Sequence, residues 1–235
     1  MKSPTSAGEE WMEVESIDTT QALASRLLLE DAPVGVVYAH HHTAGKGRLG
    51  RTWVSQEGDS LTFSMLFRAY ADHPKPHLVG MAASLAAAGV LRCQLRWPND
   101  LVIGELKLGG ILTELLPDSS GRRVPVVGIG INLNQSSFPT EIEAIATSLS
   151  ASRGGHYDPQ LIAHRIVERL AMLPEPAGWA DLSTIWDLFD YTPGKRYKLP
   201  GGEEAIALGI GSEGQLLCSV NGESRAVLAA EALFG

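Results

Sequence analysis

The segment Thr43-Ala44-Gly45-Lys46-Gly47-Arg48-Leu49-Gly50-Arg51-Thr52-Trp53 restricts the fold more than any other part of this chain. Between positions 45 and 51 it holds three glycines and three cations in seven residues, in a protein of formal net charge -8. Glycines let backbone N–H groups approach a bound group closely, and cations supply counter-charge, so the natural occupant is an anion such as a phosphate. Gly45-x-Gly47-x-x-Gly50 matches the dinucleotide fingerprint, and Gly45-xxxx-Gly50-Arg51-Thr52 resembles a P-loop with Arg in place of Lys. Both motifs need a strand before the loop and a helix directly after it. The β-branched, apolar run 34–39 supplies the strand. The stretch 52–59 has no 3.6-residue periodicity and ends in Gly58-Asp59, so no helix follows. An Arg fork also reaches phosphate differently from a compact Lys ammonium. What remains is an anion-binding loop in some other fold, or a solvated basic loop.

The chain has 235 residues, 44% of them hydrophobic, enough to bury one large domain with a small appendage. The acidic balance, with no long Lys/Arg run, argues against nucleic acid as a partner. Cys93 and Cys218 form no metal pattern or disulfide framework, which suits a reducing cytoplasm and two small buried hydrophobes. Residues 1–10 lack an apolar core, so they read as a frayed tail and not a signal peptide. The apolar stretch 79–91 carries Ser84 and two glycines and is too short to span a bilayer.

Asp18 or Thr19 is placed to N-cap a helix running through Ala22, Leu23, Leu27 and Leu28 to about Glu30. Leu61-Thr62-Phe63-Ser64-Met65-Leu66-Phe67 alternates and predicts a half-buried strand. Leu78, Ala82, Leu85 and Gly89 mark a closely packed helix. Short strands follow at 93–97, 101–103, 106–115 and 124–131. Asp158-Pro159 opens a helix carrying Ile162, Ile166 and Leu170, and a second helix carries Leu182, Ile185, Trp186 and Phe189. Thr192-Pro193-Gly194 then breaks the chain into short strands, with Asn221-Gly222 as a hairpin turn. Strands cluster in meanders instead of alternating with helices, so the class is α+β, with a small β-barrel-like appendage.

Several segments carry oxygen or cationic side chains beside rigid or glycine-rich backbone. In Arg96-Trp97-Pro98-Asn99-Asp100, Pro98 fixes a turn from which Asn99 and Asp100 can bind a ribose, hold a phosphate through Mg²⁺, or cap the turn. Lys107 precedes Gly109-Gly110, where a cation and bare backbone can reach one ligand. In Gly128-Ile129-Gly130-Ile131-Asn132-Leu133-Asn134, the strand glycines permit close approach of a flat ring.

These segments in this order, with Asp18-Thr19-Thr20-Gln21 ahead of them, resemble the biotin–protein ligase family over nearly the whole chain. The resemblance implies an α+β fold with a mixed sheet (class II synthetase-like, the biotin/lipoate ligase core) and a C-terminal SH3-like β-barrel. It implies a catalytic domain over 1–189 and the small domain over 190–235. The implied activity joins biotin to ATP as biotinyl-5′-adenylate, then passes biotin to a lysine of a biotin carboxyl carrier domain, with Mg²⁺ as a further requirement. Lys107 and Arg48 are then the main catalytic cations. Thr19, Thr20, His42, Gly45, Lys46, Gly110 and Gly128, with Arg48 and Lys107, are expected at biotin. Arg48, Arg51, Trp53, Asn99, Asp100 and Asn132 are expected at ATP, with Asp100 and Asn132 facing Mg²⁺ through phosphate.

The chain departs from the family pattern in places. His42 stands where Gln is usual, so ligand affinity is expected to fall as His42 charges near neutral pH. Position 46 is Lys, 96 is Arg, 21 is Gln, and Ala230-Glu231-Ala232 replaces Gly-Glu-Val. Only about 15 residues precede the first motif, so no DNA-binding domain is expected. A monomer or homodimer fits equally. The competing readings are a lipoate or octanoate ligase of the same core fold, and an adenylate-binding relative that has lost activity.

Overall fold

The computed structural model describes residues 1–5, 8–55, 57–199, 202–228 and 233–234. A seven-stranded sheet contains β1 (Glu10–Ile17), β2 (Val34–His42), β3 (Ser60–Leu66), β4 (Gln94–Arg96), β5 (Asp100–Ile103), β6 (Leu106–Pro117) and β7 (Arg123–Asn132). Their spatial order is β1-β2-β3-β7-β6-β5-β4. β1 and β2 are parallel, joined by helix α1 (Thr20–Leu29), and the remaining pairs are antiparallel. Among the described residues no α-helix lies between the basic loop and β3: a single 3₁₀ turn, Arg48–Gly50, leads on to β3.

Alternation along the strands splits the interior into two cores. Odd positions of β3 and β7 (Leu61, Phe63, Met65, Val127, Ile129, Ile131) face helices α2 (His77–Leu91) and α4 (Pro159–Ala171). Leu66, Val124 and Val126 face the other way, against Ala24, Leu27 and Leu28 of α1. This explains one departure from expectation. β3 is buried along its whole length, Thr62 and Ser64 included, because α2 and α4 cover one face while α1 and the basic loop cover the other. The two hydroxyls are satisfied by the Ala39 carbonyl (2.9 Å) and the Thr20 hydroxyl (2.7 Å). α2 approaches β6 closely because Gly80 leaves room for Thr113, whose Oγ1 would lie 2.0 Å from a Cβ at that position.

Asp158 caps α4 as expected, accepting from the N–H groups of Gln160 (2.9 Å) and Leu161 (3.1 Å), with Pro159 in the first turn. Asp158→Ala is expected to cost about 1 kcal/mol and to lower Tm by roughly 2–4 °C, measured by thermal unfolding. α3 (Leu149–Arg153) was not foreseen: one capped turn leaves no periodic signal. β1 was also not foreseen. It is an edge strand whose Glu10, Glu13 and Glu15 break up its apolar positions, as exposed edges require. The frayed start is a correction as well. Lys2 N–H donates to the Tyr70 hydroxyl (2.9 Å), the Met1 amino group reaches the Leu173 carbonyl, and Pro4 is buried over Gly35.

After α5 (Ala180–Asp187), the chain lies along β4: Leu95 N–H donates to Phe189 O (2.8 Å) and Tyr191 N–H to Leu95 O (2.7 Å). That segment leads into a five-stranded antiparallel sheet of order β11-β10-β9-β8-β12. Its strands are β8 (Arg196–Lys198), β9 (Glu204–Ile210), β10 (Leu216–Val220), β11 (Glu223–Val227) and β12 (Leu233–Phe234). The β10–β11 hairpin turns at Asn221 (φ 52°) and Gly222 (φ 87°), the left-handed pair that Asn-Gly favours. Residues 230–232, where the family's Gly-Glu-Val is replaced, lie outside the described residues. Both cysteines are buried and reduced. Among the described residues no helix is long and apolar enough to cross a membrane.

Candidate functional site

A cavity of about 270 Å³ opens on the α1 face of the large sheet, near the lower end of small-molecule pockets, roughly 300–1,000 Å³. Its floor follows from strand register. Ala39, Thr62, Gly130, Gly110 and Asp100 form one row across five strands, and Val37, Ser64, Gly128 and Leu112 form the next. Where β7 and β6 meet, three of the four facing positions are glycine, so the sheet is hollow there.

The basic loop folds over this floor as a narrow hairpin. Lys46 and Thr52 bridge, Gly47 N–H donates to Arg51 O (2.8 Å), and Trp53 N–H donates to Gly45 O (2.9 Å). Its base is closed by His42 N–H donating to Ser55 Oγ (3.2 Å). The Trp53 indole lies against β7 directly above Gly130, where a Cβ would stand 2.5 Å from Cε2 of the ring. The flat group anticipated on the glycine strand is thus, in part, the protein's own tryptophan. Its Nε1–H is buried without a hydrogen-bond partner.

The cavity's cations fall into two groups. Lys107 Nζ contacts Asp100 Oδ1 (2.6 Å), and Arg48 Nη1 donates to Asn99 Oδ1 (3.1 Å). No ion pair among the described residues includes Lys46 or Arg51, although both line the cavity. Burial pushes the Asp100 carboxyl up, but Lys107 and Arg96 together hold it below the usual carboxylate range. Arg96 sits beside Asp100 across β4 and β5, and its Nη2 donates to Asp100 Oδ2 (2.8 Å). Burial lowers the pKa of the Arg48 guanidinium, and Asp100 opposes that shift.

The hydroxyls expected at the biotin end already have partners. Thr19 caps α1, accepting from Ala22 N–H (3.0 Å), and Thr20 Oγ1 meets Ser64 Oγ. Thr20 N–H donates to His42 Nε2 (3.0 Å), so that nitrogen is an acceptor and the neutral ring carries its proton on Nδ1. Burial, reinforced by His41 and opposed by Asp18, pushes the His42 pKa down to about 4. The expectation that His42 charges near neutrality is therefore corrected. The folded protein resists protonation until about pH 4, while the unfolded chain takes up the proton near 6.5. Stability from this group is complete above pH 6.5 and falls as pH drops from 6.5 toward 4. His42→Gln is expected to flatten Tm against pH in that window and to leave the profile above pH 7 unchanged, as measured by calorimetric scans. The His40-His41-His42 run does not converge on one point: His40 pairs with Glu13 (2.6 Å), and His41 lies near Ser16 Oγ (3.5 Å).

Thr19, Thr20, His42, Lys46, Arg48, Arg51, Trp53, Asn99, Asp100, Lys107, Gly110, Gly128 and Asn132 all line the cavity. Gly45 does not. A Cβ there would stand 2.4 Å from the Trp53 carbonyl oxygen, so Gly45 lets the hairpin strands close. The Mg²⁺ pair also does not form. Both Asp100 oxygens are engaged by cations, Asn132 Nδ2 donates to Thr147 O (3.0 Å), and Asn132 Oδ1 faces the Gln135 amide (3.4 Å). These residues do not fit a resident cation; a divalent ion arriving on a triphosphate belongs to the substrate. Gln21, which covers Gly128 and donates to Leu112 O (3.2 Å), was not assigned to the site, nor was the apolar wall of Phe138, Ile142 and Ile145. The sequence around that wall has no helical or strand period to reveal it.

Three comparisons bear on this site. The description "Biotin/lipoate A/B protein ligase family" matches residues 13–134. The bifunctional ligase/repressor BirA of Bacillus spizizenii is 32% identical over 243 residues, covering 97% of this chain and 75% of the relative. The biotin–[acetyl-CoA-carboxylase] ligase of Mycobacterium tuberculosis is 28% identical over 247 residues, covering 96% and 90%. Among solved structures, the biotin protein ligase from Aquifex aeolicus in complex with biotin and ATP is similar with TM-score 0.72 and 27% identity, covering 96% of this chain and 98% of that one.

Proposed function

This chain belongs to the biotin/lipoate A/B protein ligase family, and from that membership we infer that it is an ATP-dependent biotin–protein ligase. In the first step a biotin carboxylate oxygen bonds to the α-phosphorus of ATP, and the bond to the β-phosphate bridging oxygen breaks, releasing pyrophosphate. In the second, the neutral amine of a carrier lysine attacks the acyl carbon of biotinyl-adenylate. The carbon–oxygen bond to AMP breaks and the amine loses a proton. We take the acceptor to be the biotin carboxyl carrier domain of an acetyl-CoA carboxylase, and the setting to be the cytoplasm.

The observation that carries this reading is the juxtaposition of Lys107 and Arg48 with a glycine-floored cavity under a cationic hairpin. Negative charge grows on the α-phosphate and the departing pyrophosphate, and fixed cations in a partly dry site stabilise it without reorganising. Lys107 and Arg48 are the catalytic cations. Lys46 and Arg51, with no carboxylate partner among the described residues, take the phosphate charge. Trp53 shields the nucleotide side, with Asn99 and Asn132 as its polar contacts. Thr19, Thr20 and His42 face the biotin ring, and Gly110 and Gly128 line its pocket by backbone, Gly128 beneath the Gln21 side chain. Residues 1–189 form the catalytic unit and 190–235 the small β domain.

The test offers biotin, lipoate and octanoate separately, each with ATP and a carrier domain, and weighs the carrier. A gain of one biotinyl group with biotin alone supports the reading. A gain with lipoate or octanoate replaces it with the related acyl ligase. Biotin binding in calorimetry without pyrophosphate release identifies an inactive relative.

A further inference from the structure

We propose that Tyr197, in the C-terminal sheet, is a positioning residue for the catalytic cations, acting through the backbone of Trp97. The inference rests on the reading of the cavity as an adenylation site. Every polar group of Trp97 is bonded to the chain between residues 192 and 214. Its N–H donates to Thr192 Oγ1 (3.0 Å), its indole N–H to Gly214 O (3.0 Å), and its carbonyl accepts from the Tyr197 hydroxyl (2.6 Å). The two rings also meet edge to face, 5.9 Å between centroids. Trp97 and Tyr197 are both essentially inaccessible to solvent.

The clamped residue sits just upstream of the turn that holds both catalytic cations. Asn99 Oδ1 accepts from Arg48, and Asp100 Oδ1 contacts Lys107. Asn99 is itself tied to β6, since Ile111 N–H donates to Asn99 O (2.9 Å) and Asn99 Nδ2 donates to Ile111 O (2.7 Å). The turn is therefore gripped from two sides: by β6 at Asn99 and by the small sheet at Trp97. Among the described residues the grip at Trp97 O comes from one hydroxyl. Burial drives the Tyr197 pKa upward, so its O–H is always present to donate. Thr192 contacts the same phenol, so donor and acceptor on the Trp97 backbone are fixed by one linked pair. A displacement of about 1 Å in such a site can cost roughly a hundred-fold in rate.

Tyr197→Phe keeps the buried ring and removes only the hydroxyl. On the full chain, biotin-dependent ATP–pyrophosphate exchange is expected to lose about ten-fold in kcat, with KM for biotin within about two-fold of wild type. Val220→Ala is the matched control: it opens the same small sheet's core and removes none of the three hydrogen bonds to Trp97, so it lowers Tm yet retains kcat well below its melting temperature. Wild-type kcat in Tyr197→Phe, or an equal kcat loss in Val220→Ala at equal Tm, overturns the proposal. Hydrogen exchange at the Ile111 amide separates its failure from that of the adenylation reading. Faster exchange in Tyr197→Phe supports the clamp whether or not the wild-type protein turns over, and unchanged exchange overturns it.

Discussion

Lys107→Ala is expected to lower the rate of biotinyl-adenylate formation by roughly 10²–10³-fold, the size of effect seen when one preorganised charge-stabilising donor is removed. The rest of the molecule should barely notice. Truncating one member of a buried ion pair is usually costly because the partner is left bare. Here Asp100 keeps its second partner, since Arg96 Nη2 remains 2.8 Å from Oδ2. The Lys107 side chain is also about one third exposed, so little packing is lost. The expected signature is a collapsed pyrophosphate-exchange rate with Tm lowered by only a few degrees. Retention of full exchange would remove Lys107 from the mechanism. A fall in Tm large enough to unfold the protein would show instead that the Lys107–Asp100 contact is structural. Lys107→Arg is a weaker perturbation that keeps the charge but spreads it over a planar fork.

The second large effect is expected from Gly130→Ala. The new Cβ would stand 2.5 Å from Cε2 and 2.8 Å from Nε1 of the Trp53 indole. The ring cannot remain against β7 and has to swing out with its hairpin. ATP affinity should fall by about ten-fold or more, the scale of losing one well-packed aromatic contact of roughly 1–3 kcal/mol. Biotin binding should change less, because Gly128 lies in the next row of the sheet and Thr20 beside it at Ser64. Tryptophan fluorescence would register the ring's release. Unchanged ATP affinity together with unchanged fluorescence would mean that the indole does not roof the nucleotide side. At Gly128 the obstruction is only the flexible Gln21 side chain, 3.0 Å from a Cβ, so Gly128→Ala should be the milder variant.

The capped helices, the Asn221-Gly222 hairpin and the central strands were legible because each has a local cause: a side-chain cap, a left-handed turn, an apolar period. The cavity residues were legible because glycine and charge cluster at a few named positions. Features set by distant contacts were not. The depth of β3 depends on two helices distant in sequence. The neutrality of His42 depends on burial, reinforced by His41. The fate of Asp100 depends on Arg96 and Lys107 converging on both its oxygens, which removes it from any metal pair. Each is a tertiary contact that spacing cannot foretell. Gly45, expected at the ligand, also lets the two hairpin strands close, a second use that spacing does not reveal.

The glycine floor has a consequence for how the site is inherited by the folded chain. In Gly128-Ile129-Gly130-Ile131, the cavity exists only in one phase of the alternation. A slip of one residue would turn two isoleucines into the hollow and withdraw two from the core beneath α2. The binding site and the hydrophobic core are thus two readings of a single strand, and neither can be misaligned without forfeiting the other. A chain that folds at all in this register arrives with its cavity already open.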